Sequence, residues 1–109
     1  MSLVPSSLNS NNHNLYFSKK ELAKILNLYF RGVTRGEWKD YAIKFNKNNA
    51  FFYIFKHTLA SPECVLNKSL EKRKKKIFYK LISKNLSKDY EDLDTLIKAL
   101  NKIELKLIN

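Results

Sequence analysis

From Leu22 onward apolar residues recur every third or fourth position, and Leu22, Ile25, Leu26, Tyr29 and Val33 mark one face of a helix. Ser18-Lys19-Lys20-Glu21 stands just ahead with the spacing of a capping box. In that motif the Ser18 hydroxyl accepts from the Glu21 amide and the Glu21 carboxylate accepts from the Ser18 amide. Phe17 and Leu22 flank the box as a hydrophobic staple. Gly36 is the expected stop, a left-handed C-cap; Gly32 is a weaker candidate because helical spacing continues through Val33.

Beyond Gly36 the period falls to two. Tyr41, Ile43 and Phe45 alternate with Ala42, Lys44 and Asn46, which predicts a half-buried strand. Asn46-Lys47-Asn48-Asn49 reads as a turn, since asparagine tolerates positive φ, and Phe51 to Phe55 as an aromatic second strand that completes a hairpin. After Ser61-Pro62, Cys64 to Leu66 predicts a short third strand and Ile77 to Ile82 a fourth, with the charged stretch Leu70 to Lys76 an exposed loop between them. The last element reads as a helix. Asp89, Glu91, Asp92 and Asp94 lie toward its N-terminus, Lys98, Lys102 and Lys106 toward its C-terminus, and Leu93, Leu96, Ile97, Leu100, Ile103 and Leu107 form its stripe.

The predicted order is α-β-β-β-β-α. Short connections favour an antiparallel meander, and two amphipathic helices must bury their stripes against one face of it. The expected fold class is therefore α+β: a four-stranded antiparallel sheet with an N-terminal and a C-terminal helix packed on one face. Residues 1–14, rich in Ser and Asn, bury too little apolar surface to offset the entropy of ordering and read as a disordered tail. Residues 15–109 form a single domain.

Composition narrows the partners. A chain of 109 residues is one domain and leaves no room for a multi-domain enzyme. Its 21 Lys plus Arg outnumber 10 Asp plus Glu, for a net charge of +11, so polyanions are the natural partners. The excess is concentrated: residues 44–88 hold 12 basic and 2 acidic side chains, including the unbroken run Lys72-Arg73-Lys74-Lys75-Lys76. The lone Cys64 points to a reducing, cytoplasmic location. The longest apolar run, Ala50 to Phe55, falls far short of the roughly 20 residues of a membrane span. The first residues lack the basic start and apolar stretch of a secretory signal.

Catalytic constellations are poor. His57 and Cys64 could pair as base and nucleophile, but no third group orients them, and Cys64 reads better as a small buried hydrophobe. One Cys and two His make no closed set of metal ligands, and Gly32 and Gly36 make no phosphate-cradling loop, so no metal or cofactor is expected. The most distinctive stretch is Gly36-Glu37-Trp38-Lys39-Asp40-Tyr41-Ala42. Trp38 fits best as a wedge between helix and sheet with Asp40 capping a turn; the alternative is an exposed recognition cluster of Trp38, Asp40 and Tyr41. On strand two, Phe51, Tyr53 and Phe55 share one side, Phe52 and Ile54 the other, and only one side can face the helices. Phe52 and Ile54, if outward, could stack on unpaired bases or cover a second subunit.

The same stretch carries a likeness. Glu21-Leu22 through Leu28-Tyr29, Gly36-Glu37-Trp38-Lys39-Asp40-Tyr41-Ala42-Ile43, Ile54-Phe55-Lys56, Pro62, Lys68, Tyr79 and the stripe from Leu93 to Leu100 resemble a small alphaproteobacterial family of unknown function with a GEW-x-DYA motif. The resemblance covers roughly residues 15–107. The chain departs from it in carrying Lys where other members carry Arg, and Leu70 and Lys76 where they often have Pro and Gly before strand four. It implies no activity and transfers no catalytic residue.

Three functions follow in order. The first is a non-sequence-specific nucleic-acid-binding module, with Lys72, Arg73, Lys74, Lys75 and Lys76 gripping phosphates of RNA or DNA, helped by Lys44, Lys56, Lys68 and Lys80, since lysine neutralises phosphate better than it reads bases. The second is a homodimeric interaction module, or an adaptor for an acidic protein, that uses Phe52 and Ile54 or the Trp38 region. An enzyme comes third.

Overall fold

The computed structural model describes residues 13–57 and 61–108, the last six as backbone. The tail expected over residues 1–14 therefore lies, apart from His13 and Asn14, outside the described residues, as do the side chains of Ile103, Lys106 and Leu107.

Helix α1 spans Lys19–Thr34 and is opened by the predicted capping box: Glu21 N donates to Ser18 Oγ at 3.1 Å and Ser18 N to Glu21 Oε1 at 2.7 Å. At its end the Gly36 amide donates to Val33 O and the Glu37 amide to Gly32 O, both at 2.9 Å. Gly36 holds φ at 78°, the left-handed cap expected of it. Nothing lies within 4 Å of a Cβ built there, so Gly36→Ala should lose about 1 kcal/mol of stability in urea titration through backbone strain alone. The core stripe of α1 is Ile25, Leu28, Tyr29 and Gly32, whereas Val33 is exposed. The buried stripe thus ends on Gly32, against the Trp38 ring, and not on Val33.

The strands β1 (Asp40–Phe45), β2 (Asn49–Phe55), β3 (Cys64–Glu71), β4 (Lys76–Ser83) and β5 (Leu86–Tyr90) precede α2 (Leu93–Ile108). They form one antiparallel meander in the order β1-β2-β3-β4-β5. The sheet thus has five strands, and the four-stranded expectation is corrected. The fifth strand, Leu86-Ser87-Lys88-Asp89-Tyr90, includes Asp89, whose charge suits the helix N-terminus expected there. In the fold it is an edge strand, its polar residues exposed, joined to β4 by the turn Lys84-Asn85. Helix α2 starts later, with Asp92 Oδ1 accepting from Thr95 N at 2.7 Å and Thr95 Oγ1 at 2.8 Å.

Two further corrections concern the hairpins. Leu70, Glu71 and Lys76 belong to β3 and β4, so the exposed loop shrinks to the four-residue turn 72–75; a charged strand end projecting past its neighbours escapes a pattern sought in apolar runs. The β1–β2 turn relies on an Asx arrangement instead of positive φ: Asn46 Oδ1 accepts from Asn48 N at 3.0 Å and Asn49 N at 2.8 Å.

Register assigns the faces. Tyr41, Ile54, Cys64, Ser83 and Leu86 form one row across the sheet, and Ile43, Phe52, Leu66 and Leu81 the next. Both helices cover that face: Tyr29 of α1 meets the Tyr41 and Phe52 rings at centroid distances of 5.0 and 6.1 Å, while α2 lies along β4 and β5. Lys24 of α1 pairs with Asp94 of α2 at 2.9 Å. The core gathers Ile25, Leu28, Trp38, Phe52, Ile54, Leu66, Leu81, Leu96 and Leu100 between the layers.

Candidate nucleic-acid interface

Among the described residues, no helix covers the second face of the sheet. Its rows read Ala42, Tyr53, Val65, Ile82, Ser87 and, beside them, Lys44, Phe51, Asn67, Lys80, Asp89; Phe55, Ser69 and Phe78 extend it. Phe51, Tyr53 and Phe55 are half-buried along β2 on this face, Phe55 at its end. The Phe51 and Tyr53 rings stack at 5.8 Å with planes inclined by 26°, and Lys44 Nζ lies 5.8 Å from the Tyr53 centroid. On β3, opposite Phe51, Asn67 is buried, its amide donating to Ala50 O at 3.1 Å and Asn49 Oδ1 at 3.2 Å, which ties β3 to β2 beside the rings.

Phe52 and Ile54, which would serve an interface only if they pointed outward, are fully buried beneath the helices and belong to the core. Their place is taken by Phe51, Tyr53 and Phe55. Both sides of β2 carry aromatic rings, so alternation leaves the choice open and helix packing settles it.

The basic residues divide into three groups. Lys72, Arg73, Lys74 and Lys75 occupy the β3–β4 turn, where Lys75 takes φ of 50° and the Arg73 amide donates to Glu71 Oε1 at 3.2 Å. Lys47, in the β1–β2 turn, lies at the same end of the sheet, since the two turns flank the Asn49–Ser69 pairing. Among the described residues no carboxylate comes within 4.0 Å of these side chains or of Lys44 and Lys56. Lys76 and Lys80 reach Glu91 and Asp89, each at 3.8 Å and exposed, contacts that water and salt weaken. Glu71, Lys74, Lys76, Phe78, Asp89, Tyr90 and Glu91 line an open cleft of about 270 Å³ at this corner.

Lys68 departs from the basic group altogether. It faces the helices, where Nζ meets Glu21 Oε1 at 2.8 Å and the Tyr16 carbonyl at 2.9 Å, and only 12% of its side chain is exposed. Tyr79 Oη donates to Glu21 Oε2. Burial alone would raise the Glu21 carboxyl, but hydrogen bonds from Lys68, Tyr79 and the Ser18 amide outweigh it and hold the pKa below the ordinary carboxylate value. Burial, and then the Glu21 carboxylate, push the Tyr79 phenol upward, so it remains a donor at any physiological pH. Lys68 is a structural cation.

Residues 15–91 match the family model described as protein of unknown function DUF2794. The chain belongs to the DUF2794 family. The match takes in α1 and all five strands and stops before α2, so the whole sheet and its uncovered face lie within the family region. No curated protein and no solved structure matches the chain.

The remaining sequence candidates of this DUF2794 chain are placed as follows. Trp38 is buried to 2% exposure, stacked on Tyr29 at 6.4 Å. Tyr41 is partly exposed and stacks on Phe52 at 5.0 Å, while Asp40 Oδ1 accepts from the Tyr41 amide at 2.8 Å. Trp38 is thus buried, while the neighbouring Asp40 and Tyr41 take opposite faces of β1, Tyr41 on the helix side, so the three do not form one exposed cluster. Cys64 is buried on the helix-covered face and His57 exposed in the bend after β2, so they are not brought together as base and nucleophile. Among the described residues no helix is long and apolar enough to cross a membrane.

Proposed function

We propose that this protein is a non-sequence-specific nucleic-acid-binding module that takes single-stranded RNA or DNA on the uncovered face of its sheet. One observation carries the reading: the stacked pair Phe51 and Tyr53, with the Lys44 ammonium over the Tyr53 ring, on a face that no helix among the described residues covers. The accessible part of such half-buried rings can accept the π-faces of unpaired bases whatever their identity, while lysines along the rim neutralise phosphates. The turn cations Lys72 to Lys75, with Lys47, extend that rim, and Lys56 lies beyond the far end of β2. Cytoplasmic work, where nucleic acid is accessible and Cys64 stays reduced, agrees with this role.

Titration of a fluorescent oligo(dT) by anisotropy tests the proposal. With about five phosphates engaged, log affinity should fall against log salt with a slope of roughly −3.5, close to 100-fold between about 50 and 200 mM. Phe51→Ala and Tyr53→Ala should each weaken binding roughly 10-fold without flattening that slope, and a duplex of equal length should bind more weakly than the single strand. Binding that ignores salt, or that survives both ring removals unchanged, would sink the reading.

A further inference from the structure

The five exposed large hydrophobic side chains among the described residues are Tyr16, Phe30, Val33, Tyr41 and Phe45. They share one flank of the molecule. Tyr16 packs on Phe45 with centroids 4.7 Å apart, and Tyr41 meets Tyr29, which in turn contacts Phe30. On α1, Glu21 and Lys24 point toward β3 and α2, to which they are paired. At about 100° per residue Phe30 and Val33 fall on the opposite side of the helix, above the β1 edge. Leu22 and Leu26, half-buried, lie on that side too.

Among the described residues β1 is also an edge strand, bonded to β2 alone. The Asn46 amide donates to Asn49 O at 2.8 Å, so ladder alternation turns the amides of Lys44 and Ala42 toward β2 and those of Ile43 and Tyr41 away from it. The Tyr41 amide is accordingly met by a side chain, Asp40, instead of a strand. An open edge beside an apolar flank is a surface that another strand completes.

The sequence of β1 identifies that strand. Laid antiparallel on a second copy with Ala42 opposite Ala42, Tyr41 faces Ile43 on the helix side and Asp40 faces Lys44 on the other, twice over by symmetry. We infer that two copies of this chain join β1 to β1 in that register and form a continuous ten-stranded sheet. The small Ala42 pair at the axis suits the close approach of a non-hydrogen-bonded position, the Leu26–Phe30–Val33 flanks of the two α1 helices meet above the seam, and the two aromatic faces merge into one.

This inference is independent of nucleic-acid binding and is tested by light scattering on the full chain. The wild type is expected to be dimeric. Asp40→Lys or Lys44→Asp alone sets like charges opposite each other at two places and should raise the dimer Kd roughly 10- to 100-fold. The two variants mixed together, or both changes in one chain, restore opposite charges and should restore the dimer, which also shows that the variants are folded. A monomeric wild type overturns the inference. So does a dimer that survives both single reversals, or one that dissolves instead on Tyr53→Asp, which would move the contact to the uncovered face.

Discussion

Gly32→Ala is expected to destabilise the domain by about 3 kcal/mol, although alanine is the better helix former by about 1 kcal/mol. A Cβ on Gly32 would lie 2.5 Å from Trp38 Cδ2, 2.7 Å from Cζ3 and closer still to Cε3. The ring has nowhere to go: Trp38 is 2% exposed and stacked on Tyr29, which itself packs on Phe52. The Trp38 and Glu37 amides donate to Gly32 O, so the backbone that carries the ring is tied to the residue beneath it. Relief must therefore come from moving α1 off the sheet. Chemical denaturation of Gly32→Ala, Trp38→Leu and the double variant separates the causes. Trp38→Leu should cost about 2–4 kcal/mol on its own, and the double variant should be clearly more stable than the sum of the two losses, because the smaller side chain makes room for the methyl group. Strict additivity would count against a direct clash.

Glu21→Gln should cost about 2–3 kcal/mol near neutral pH, with the loss disappearing in acid. The carboxylate accepts from Lys68, Tyr79 and the Ser18 amide, joining the first turn of α1 to β3 and β4. Glutamine keeps one acceptor but leaves the Lys68 ammonium, 12% exposed, without a counter-charge. The direction with pH follows from the depressed folded-state pKa. The unfolded chain titrates near the ordinary value of 4.5, the folded chain below it, so the contribution of Glu21 is complete above the unfolded value and fades as pH falls through the folded one. The wild-type advantage measured by urea unfolding should thus be constant from neutral pH to about pH 5.5 and shrink steadily beneath it. An advantage that grew in acid would contradict the assignment of Glu21 as the ionised partner.

Much of this fold is legible along the chain because its strongest signals are local. The Ser18–Glu21 box, the left-handed Gly36 and the alternation through β1 and β2 each need only a few neighbouring residues, and each is found where the sequence puts it. β5 was lost for the converse reason. Its only apolar anchors, Leu86 and Tyr90, sit four positions apart, which suits a helix as well as a strand, and its pairing with β4 decides the matter. The candidate site was half legible. The basic turn could be read directly, but with both sides of β2 aromatic, periodicity alone could not choose between Phe52 with Ile54 and Phe51 with Tyr53. Lys68 shows the same limit from another side: as one lysine among many it looks like a surface cation, and only its partner makes it a structural one.

By itself, then, the sequence determined where α1 begins and stops, that strands of period two follow, and that positive charge collects around the β3–β4 turn, because capping, alternation and charge runs act over a turn or two of chain. The tertiary structure alone decided that the sheet has a fifth strand, that Phe51 and Tyr53 form the uncovered face, that Gly32 is a seat for Trp38, and that Glu21 captures Lys68 and Tyr79. Those outcomes depend on contacts between residues 47 and 58 positions apart in the case of Glu21, set by strand register and helix placement, and no local pattern carries that information.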